Sequence, residues 1–174
     1  MIYRNSFALL ALTAALCSPA QAHVTLEQST ATAGSPYKAV FRVGHGCAGS
    51  PTTGITVFLP PGFTDAKPMP KPGWQLGIQR EPLTVPYTSH GNTVSDRAAV
   101  IHWEGGRLAD AEYDEFVLRG TLPATTGKLY FRVLQTCAEG SNDWAAIQTG
   151  SDRPAFPAAV LELTPADKTP AHQH

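Results

Sequence analysis

Short segments in which apolar and polar residues alternate recur along most of the chain. In the clearest one, 128–136, Leu129, Phe131 and Val133 face one side while Tyr130 and Arg132 face the other. This two-residue period is typical of a strand with one buried face. Similar segments are 37–43, 55–59, 74–80, 98–103, 115–118, 144–148 and 158–163. Turns rich in glycine and proline separate them, and no window carries a helical stripe. The pattern therefore predicts an all-β sandwich of about nine strands, with loops at 60–73 and 91–97.

The first 22 residues depart from this pattern and resemble a secretory signal peptide. Arg4 precedes an apolar run that is too short to span a bilayer, which needs about 20 residues. The run ends at Ala20-Gln21-Ala22, a typical cleavage site. We therefore expect cleavage between Ala22 and His23, and a mature protein that is periplasmic or secreted without a stable membrane anchor.

Charge and cysteine content narrow the function classes further. The formal net charge is −1, so no basic field would attract nucleic acid or an anionic membrane. Cys17 would leave with the signal peptide, and Cys47 and Cys137 would remain in an oxidising compartment. A single disulfide is the simplest interpretation. The alternative is that the two cysteines are soft copper ligands, and their wide spacing in the sequence makes this less favourable.

His23 is the most informative candidate for chemistry, because cleavage would make it the first residue. It would then offer a metal two nitrogens, its α-amine and its ring Nδ1. Such a pair suits Cu(II) best among the divalent metals. The simpler alternative is that cleavage merely happens to leave a histidine at this position.

Two further residues are candidates for the same site. His45 lies between Gly44 and Gly46 just after a predicted strand, in a loop that a Cys47–Cys137 bond would hold near the loop containing Trp144. Alternatively, His45 is a turn histidine that faces solvent, and Trp144 is an ordinary core residue.

Other polar groups are expected to be solvated. They are the tail histidines His172 and His174, whose role the sequence does not define, and the acidic cluster Asp110, Glu112, Asp114 and Glu115.

Several short motifs, in order, resemble the YcnI-like family of exported copper-binding domains. They are His23-Val24-Thr25 after the signal peptide, Pro51-Thr52-Thr53 leading into 55–60, Pro72-Gly73-Trp74, Tyr113-Asp-Glu-Phe116, Leu122-Pro123 and Trp144. The resemblance covers roughly 23–163. It implies an immunoglobulin- or cupredoxin-like sandwich over 23–163, with a signal peptide at 1–22 and a flexible His-containing tail at 164–174.

The resemblance also implies a Cu(II) site on the N-terminal histidine, here His23, with a tryptophan, here Trp144, close to the metal. In the family pattern an acidic residue before the Pro-Thr-Thr passage completes the site. This chain has no carboxylate there, and His45 falls at or next to that position. We therefore expect His23 and His45 to be the metal ligands, with three nitrogens in total.

The expected function is that of an exported copper chaperone or storage protein, not an enzyme. By family analogy its partner would be a periplasmic copper chaperone or a membrane copper transporter. A rival is a copper-dependent oxidative enzyme of the histidine-brace type that acts on polysaccharides. Such an enzyme needs an open axial face and an aromatic platform, and few aromatic residues are available here for one. A third alternative is a scaffold sandwich without metal.

Overall fold

A computed structural model describes residues 23–89 and 91–166. The predicted signal peptide at 1–22 and the tail histidines His172 and His174 lie outside these ranges. Within them the chain forms strands and no helix, so nothing described there could cross a membrane as a helix.

Eleven strands make up the described chain, two more than the alternation predicts. They are β1 (Thr25–Leu26), β2 (Thr30–Thr32), β3 (Pro36–Val43), β4 (Thr52–Phe58), β5 (Thr64–Pro68), β6 (Gln75–Ser89), β7 (Asn92–Leu108), β8 (Asp114–Thr121), β9 (Gly127–Cys137), β10 (Ser141–Trp144) and β11 (Ala159–Thr164). The prediction of an all-β sandwich is confirmed.

The strands form two sheets. The smaller has the order β1-β3-β8-β5, and the larger runs β2-β11-β9-β4-β7-β6, with β10 also paired to β9. Neighbouring strands are antiparallel except β11 and β2, which are parallel. Along one side of β9, β11 pairs with its first half and β10 with its second half, from Val133 to Thr136.

The core lies between the sheets and follows the alternation along each strand. On β9, Phe131 and Val133 are fully buried, as predicted, and the same inward phase continues through Gln135 to Cys137. Phe41 and Phe63 pack edge-to-face on the Phe131 ring from the other side of the core. The inward face of β9 is therefore apolar until it reaches Gln135.

Three predicted segments differ from the observed strands. The stretch 60–73, predicted as a loop, contains β5. The turn between β6 and β7 lies near Gly91 and not over 91–97, and both strands are much longer than predicted. The predicted strand 144–148 is wrong, because β10 ends at Trp144 instead of beginning there. The amides of Ala145 and Ala146 both donate to the Phe156 carbonyl, and this turns the chain out of the ladder.

Candidate metal centre

His23 is held at one edge of the smaller sheet by the short strand that follows it. In β1, Thr25 pairs with Arg42 and Leu26 with Phe41 of β3. Val24 and Leu26 are buried, with 3% and 8% of their surface exposed. These contacts fix the chain immediately after His23, whose own side chain is only partly buried.

His45 lies in the loop that follows β3, and several contacts fix the shape of this loop. The Gly46 amide donates to Asp110 Oδ1 at 2.9 Å. A Cβ at Gly46 would lie 1.8 Å from the Ser50 carbonyl oxygen, so this position requires glycine. Asp110, expected to be merely solvated, is therefore a structural partner of the loop.

The tautomer of His45 follows from its neighbour. Its Nδ1 lies within hydrogen-bond distance of the Gly46 carbonyl, which can only accept. Nδ1 therefore carries the proton in this contact, and the Nε2 lone pair is left for a ligand. Metal-binding histidines commonly donate their second ring nitrogen to a carbonyl in this way, which orients the ring.

A disulfide ties the His45 loop to the larger sheet. Cys47 and Cys137 are bonded, with their Cα atoms 6.0 Å apart across a sequence separation of 90 residues. The predicted pairing is confirmed, and these sulfurs are not free copper ligands. Such a bond is typical of a protein in an oxidising, extracytoplasmic compartment.

Trp144, the last residue of β10, brings the candidate residues together. Its ring contacts the His23 ring edge-to-face, with centroids 5.8 Å apart and planes at 86°. The His45 ring lies 6.4 Å from the same indole, at 66°. Trp144 is 2% exposed and also packs against Phe156 at 5.2 Å. Both imidazoles therefore contact one buried tryptophan.

A buried polar network connects this tryptophan to the His45 loop. Trp144 Nε1 donates to Gln135 Oε1 at 3.1 Å. Gln135 Nε2 donates to the His45 carbonyl at 2.7 Å and to Thr52 Oγ1 at 2.8 Å. Gln135 and Thr52 are the two fully buried polar side chains of the described chain, and no buried side-chain polar atom there lacks a partner. The network fixes the His45 backbone relative to the indole.

Few metal-binding groups are available at this site, and all of them would bind a metal through nitrogen. No group of three or more His, Cys, Asp or Glu side chains in residues 23–89 and 91–166 is arranged to hold a metal. Two imidazoles alone make a weak site, whereas the α-amine of a chain beginning at His23 would add a third nitrogen. Three nitrogens fit Cu(II) better than Mg²⁺ or Ca²⁺, which prefer oxygen.

His23, His45 and Trp144 are the candidates that the sequence predicts, and their rings lie together in the structure. The sequence did not predict that Gln135 and Asp110 position the His45 loop. The role of Gln135 could have been suspected from the sequence, because it is a polar residue at an inward-facing position of the strand that carries Phe131 and Val133.

A shallow groove of about 450 Å³ begins at His23 and runs beside β11 and the first half of β9. Lys128 and Tyr130 line it from β9, and Ala158 and Val160 from the β11 side. The candidate centre is therefore next to open surface and not enclosed in the core.

Comparison with known proteins identifies a family and a fold. The profile of a family described as "Domain of unknown function (DUF1775)" matches residues 23–163. No curated protein matches. Among solved structures, an uncharacterized protein from Nocardia farcinica with an immunoglobulin-like fold is 24% identical, with a TM-score of 0.63 over 81% of this chain and 97% of that one.

A second solved structure, a protein from Corynebacterium diphtheriae described as membrane anchored, is 12% identical. It has a TM-score of 0.41, and the match covers 83% of this chain and 34% of that one. The first similarity establishes an immunoglobulin-like fold for this chain.

Proposed function

We propose that this chain, which belongs to the DUF1775 family, is an exported protein that binds Cu(II) and stores it or transfers it to a partner. One observation carries the proposal. His23, before β1, and His45, after β3, come from separate segments, and both rings contact the indole of Trp144.

The proposed ligands are the His23 amine, His23 Nδ1 and His45 Nε2. The first two form a chelate on one residue, and the third has its lone pair free because Nδ1 faces the Gly46 carbonyl. Amine and imidazole nitrogens in a tetragonal arrangement favour Cu(II) over the other divalent metals. The amine has an ordinary pKa of about 7.7–8.0, so copper displaces its proton near neutral pH.

Trp144 has a different role in this proposal. Its ring contacts both imidazoles and is held by Gln135, so in this proposal it lies beside the ligands and limits access to the metal from that side. Limited access favours holding copper over activating oxygen on it. A histidine-brace enzyme would need this side open for its substrate.

Copper is the cargo of the proposed function, and the site requires cleavage between Ala22 and His23. Reduction to Cu(I) shifts the metal's preference towards softer ligands and so favours transfer to a partner that supplies them. By family analogy, that partner is a periplasmic copper chaperone or a membrane copper transporter.

A copper titration followed by electron paramagnetic resonance tests the proposal. Protein beginning at His23 should bind one Cu(II) and give an axial spectrum with nitrogen couplings. His45→Ala should remove one nitrogen donor and alter the spectrum. His102→Ala is the matched control, because His102 packs over Gly77 on the outer face of the larger sheet. Weak binding, or a spectrum that His45→Ala leaves unchanged, would contradict the assignment.

A second assay separates the copper carrier from an enzyme. The copper-loaded protein should not turn over ascorbate and oxygen faster than free copper does, and it should release no oligosaccharides from polysaccharides. Sustained turnover with oligosaccharide release would replace the proposal with the histidine-brace enzyme.

A further inference from the structure

Three cations lie in line across the outer face of the smaller sheet, away from the candidate metal centre. Arg119 of β8 is directly opposite Lys38 of β3 on one side and directly opposite Lys67 of β5 on the other. All three side chains are exposed, whereas their neighbours Ala39 and Leu118 are fully buried on the opposite face. We call Lys38, Arg119 and Lys67 the cation row.

The cation row is unfavourable by itself. Residues directly opposite on antiparallel strands have Cβ atoms about 4.5–5.5 Å apart, and like charges there are destabilising. None of the three cations forms a salt bridge with a carboxylate in the part of the chain that the structure describes. Their mutual repulsion is therefore not relieved by a direct ion pair within that part.

The same face of the same sheet provides a contrast four residues further along β3. There Arg42 lies opposite Glu115, and its guanidinium contacts Glu27 at 2.9 Å and Glu115 at 3.4 Å. Pairing of opposite charges is thus achieved at one end of this face, whereas like charges are aligned at the other.

A bulge in β5 creates the alignment. Thr64 pairs with Thr121 and Lys67 with Arg119, so β5 has one extra residue between these pairs. Without it, Ala66 would lie opposite Arg119. Asp65 in the bulge has φ of 51°, a left-handed conformation that is uncommon outside glycine. Bulges often redirect a side chain in this way.

The only carboxylate beside the row, among the described residues, has another partner. Asp65 Oδ1 accepts a hydrogen bond from the Tyr87 hydroxyl at 3.1 Å, and burial together with this contact raises the pKa of Tyr87. Asp65 and the three cations line one shallow cavity of about 540 Å³. The cavity is therefore lined by three cationic side chains and by one carboxylate, which accepts a hydrogen bond from Tyr87.

We propose that the cation row binds a phosphate group. Arginine presents a planar fork of donors that fits two phosphate oxygens, and the flanking ammonium groups can reach the remaining oxygens and charge. A carboxylate bound to Arg119 through both oxygens brings only one negative charge and no third oxygen for the lysines, so it would compensate the three cations less well than a phosphate does. The phosphate comes either from the free anion or from a phospholipid headgroup, and the two sources share this chemistry.

This proposal is independent of copper. Lys38 and Val43 are five positions apart along β3, about 17 Å, and the His45 loop begins after Val43. The two sites can therefore be tested separately.

Amide-resolved NMR at constant ionic strength tests the proposal, with inorganic phosphate replacing chloride. Saturable shifts are expected at residues around 38, 67 and 119. Arg119→Gln should weaken binding at least about tenfold, because it removes the charge-assisted donors. Arg42→Gln is the matched control and should leave binding unchanged, since Arg42 is already paired on the same face.

A vesicle arm distinguishes the two sources of phosphate. Sedimentation with phosphatidylglycerol vesicles, compared with phosphatidylcholine, shows whether a lipid headgroup is the ligand. Binding to either inorganic phosphate or phosphatidylglycerol that depends on Arg119 but not on Arg42 supports the proposal. The absence of binding in both arms, or equal loss in both variants, overturns it.

Folding of the test variant is checked in the same experiment. Arg119→Gln removes like-charge repulsion with Lys38 and Lys67, so its melting temperature without phosphate should equal or exceed that of the wild type. Phosphate should raise the melting temperature of the wild type by more than that of Arg119→Gln, because non-specific stabilisation by phosphate acts on both proteins and binding at the cation row mainly on the wild type. An equal rise in both proteins would contradict a site at the cation row.

Discussion

Replacing Gln135 with leucine tests whether the buried polar network fixes the candidate metal centre. The substitution keeps a side chain of similar size in the core but removes both its donor and its acceptor. Trp144 Nε1 loses the oxygen it donates to, and the His45 carbonyl and Thr52 hydroxyl lose a donor. Trp144 and Thr52 are almost fully buried, so water cannot easily replace the lost partner.

The magnitude follows from the groups left without partners. A buried donor or acceptor without a hydrogen bond costs about 1–3 kcal/mol, and Gln135 serves two buried groups, on Trp144 and Thr52, as well as the partly buried His45 carbonyl. Burial of a leucine side chain offsets about 1.5–3 kcal/mol of that loss. The expected net loss in the free energy of unfolding is about 3 kcal/mol, which for a domain of this size lowers the melting temperature by about 6–12 °C.

Chemical and thermal unfolding measure this effect, with Gln79→Leu as the matched control. Gln79 lies exposed on β6, so its replacement should change stability by no more than about 0.5 kcal/mol. Under the proposed function, Gln135→Leu should also weaken Cu(II) binding, because the His45 backbone is no longer fixed. If the two leucine variants unfold alike, the reasoning about the buried network is wrong.

Three other predictions follow from the structure. Burial raises the pKa of Tyr37 from 10.0 to about 12. The stability that depends on its neutral phenol should therefore be lost as the pH rises through this range. Unfolding measured as a function of pH should show this loss in the wild type and not in Tyr37→Phe. Replacing Cys47 and Cys137 with serine should cost about 4–5 kcal/mol by loop entropy, and a loss below about 1 kcal/mol in denaturant unfolding would refute it. Under the proposed function, Asp110→Ala, which removes an acceptor from the His45 loop, should lower Cu(II) affinity about three- to tenfold in a competition titration. Unchanged affinity would show that His45 needs no such support.

The alternation of apolar residues predicts the central strands well and the peripheral ones poorly. β3, β8 and β9 are buried on one face, so their pattern is strong and their observed bounds lie within a few residues of those predicted. β5 was missed because it is short, lies at a sheet edge and has prolines nearby. The far ends of β6 and β7 form a hairpin in which Val85 is exposed, so no buried face imposes an alternating pattern there.

The candidate site was partly predictable for a different reason. The cysteines and the position of His23 after Ala22 are visible in the sequence, and each carries a chemical meaning of its own. Asp110 gave no such signal, because its contact with the Gly46 amide joins residues 64 positions apart. The cation row was equally hidden, since it depends on the strand order β3-β8-β5 and on one extra residue in β5.

The central claim is that the α-amine of His23 binds copper together with the His23 and His45 rings. The most direct measurement compares the Cu(II) affinity of protein beginning at His23 with that of protein carrying one added alanine before it. The account predicts that the alanine abolishes tight binding while the melting temperature without copper is unchanged, because it moves the amine without touching Trp144 or the core. Equal affinity in the two proteins would contradict the N-terminal chelate.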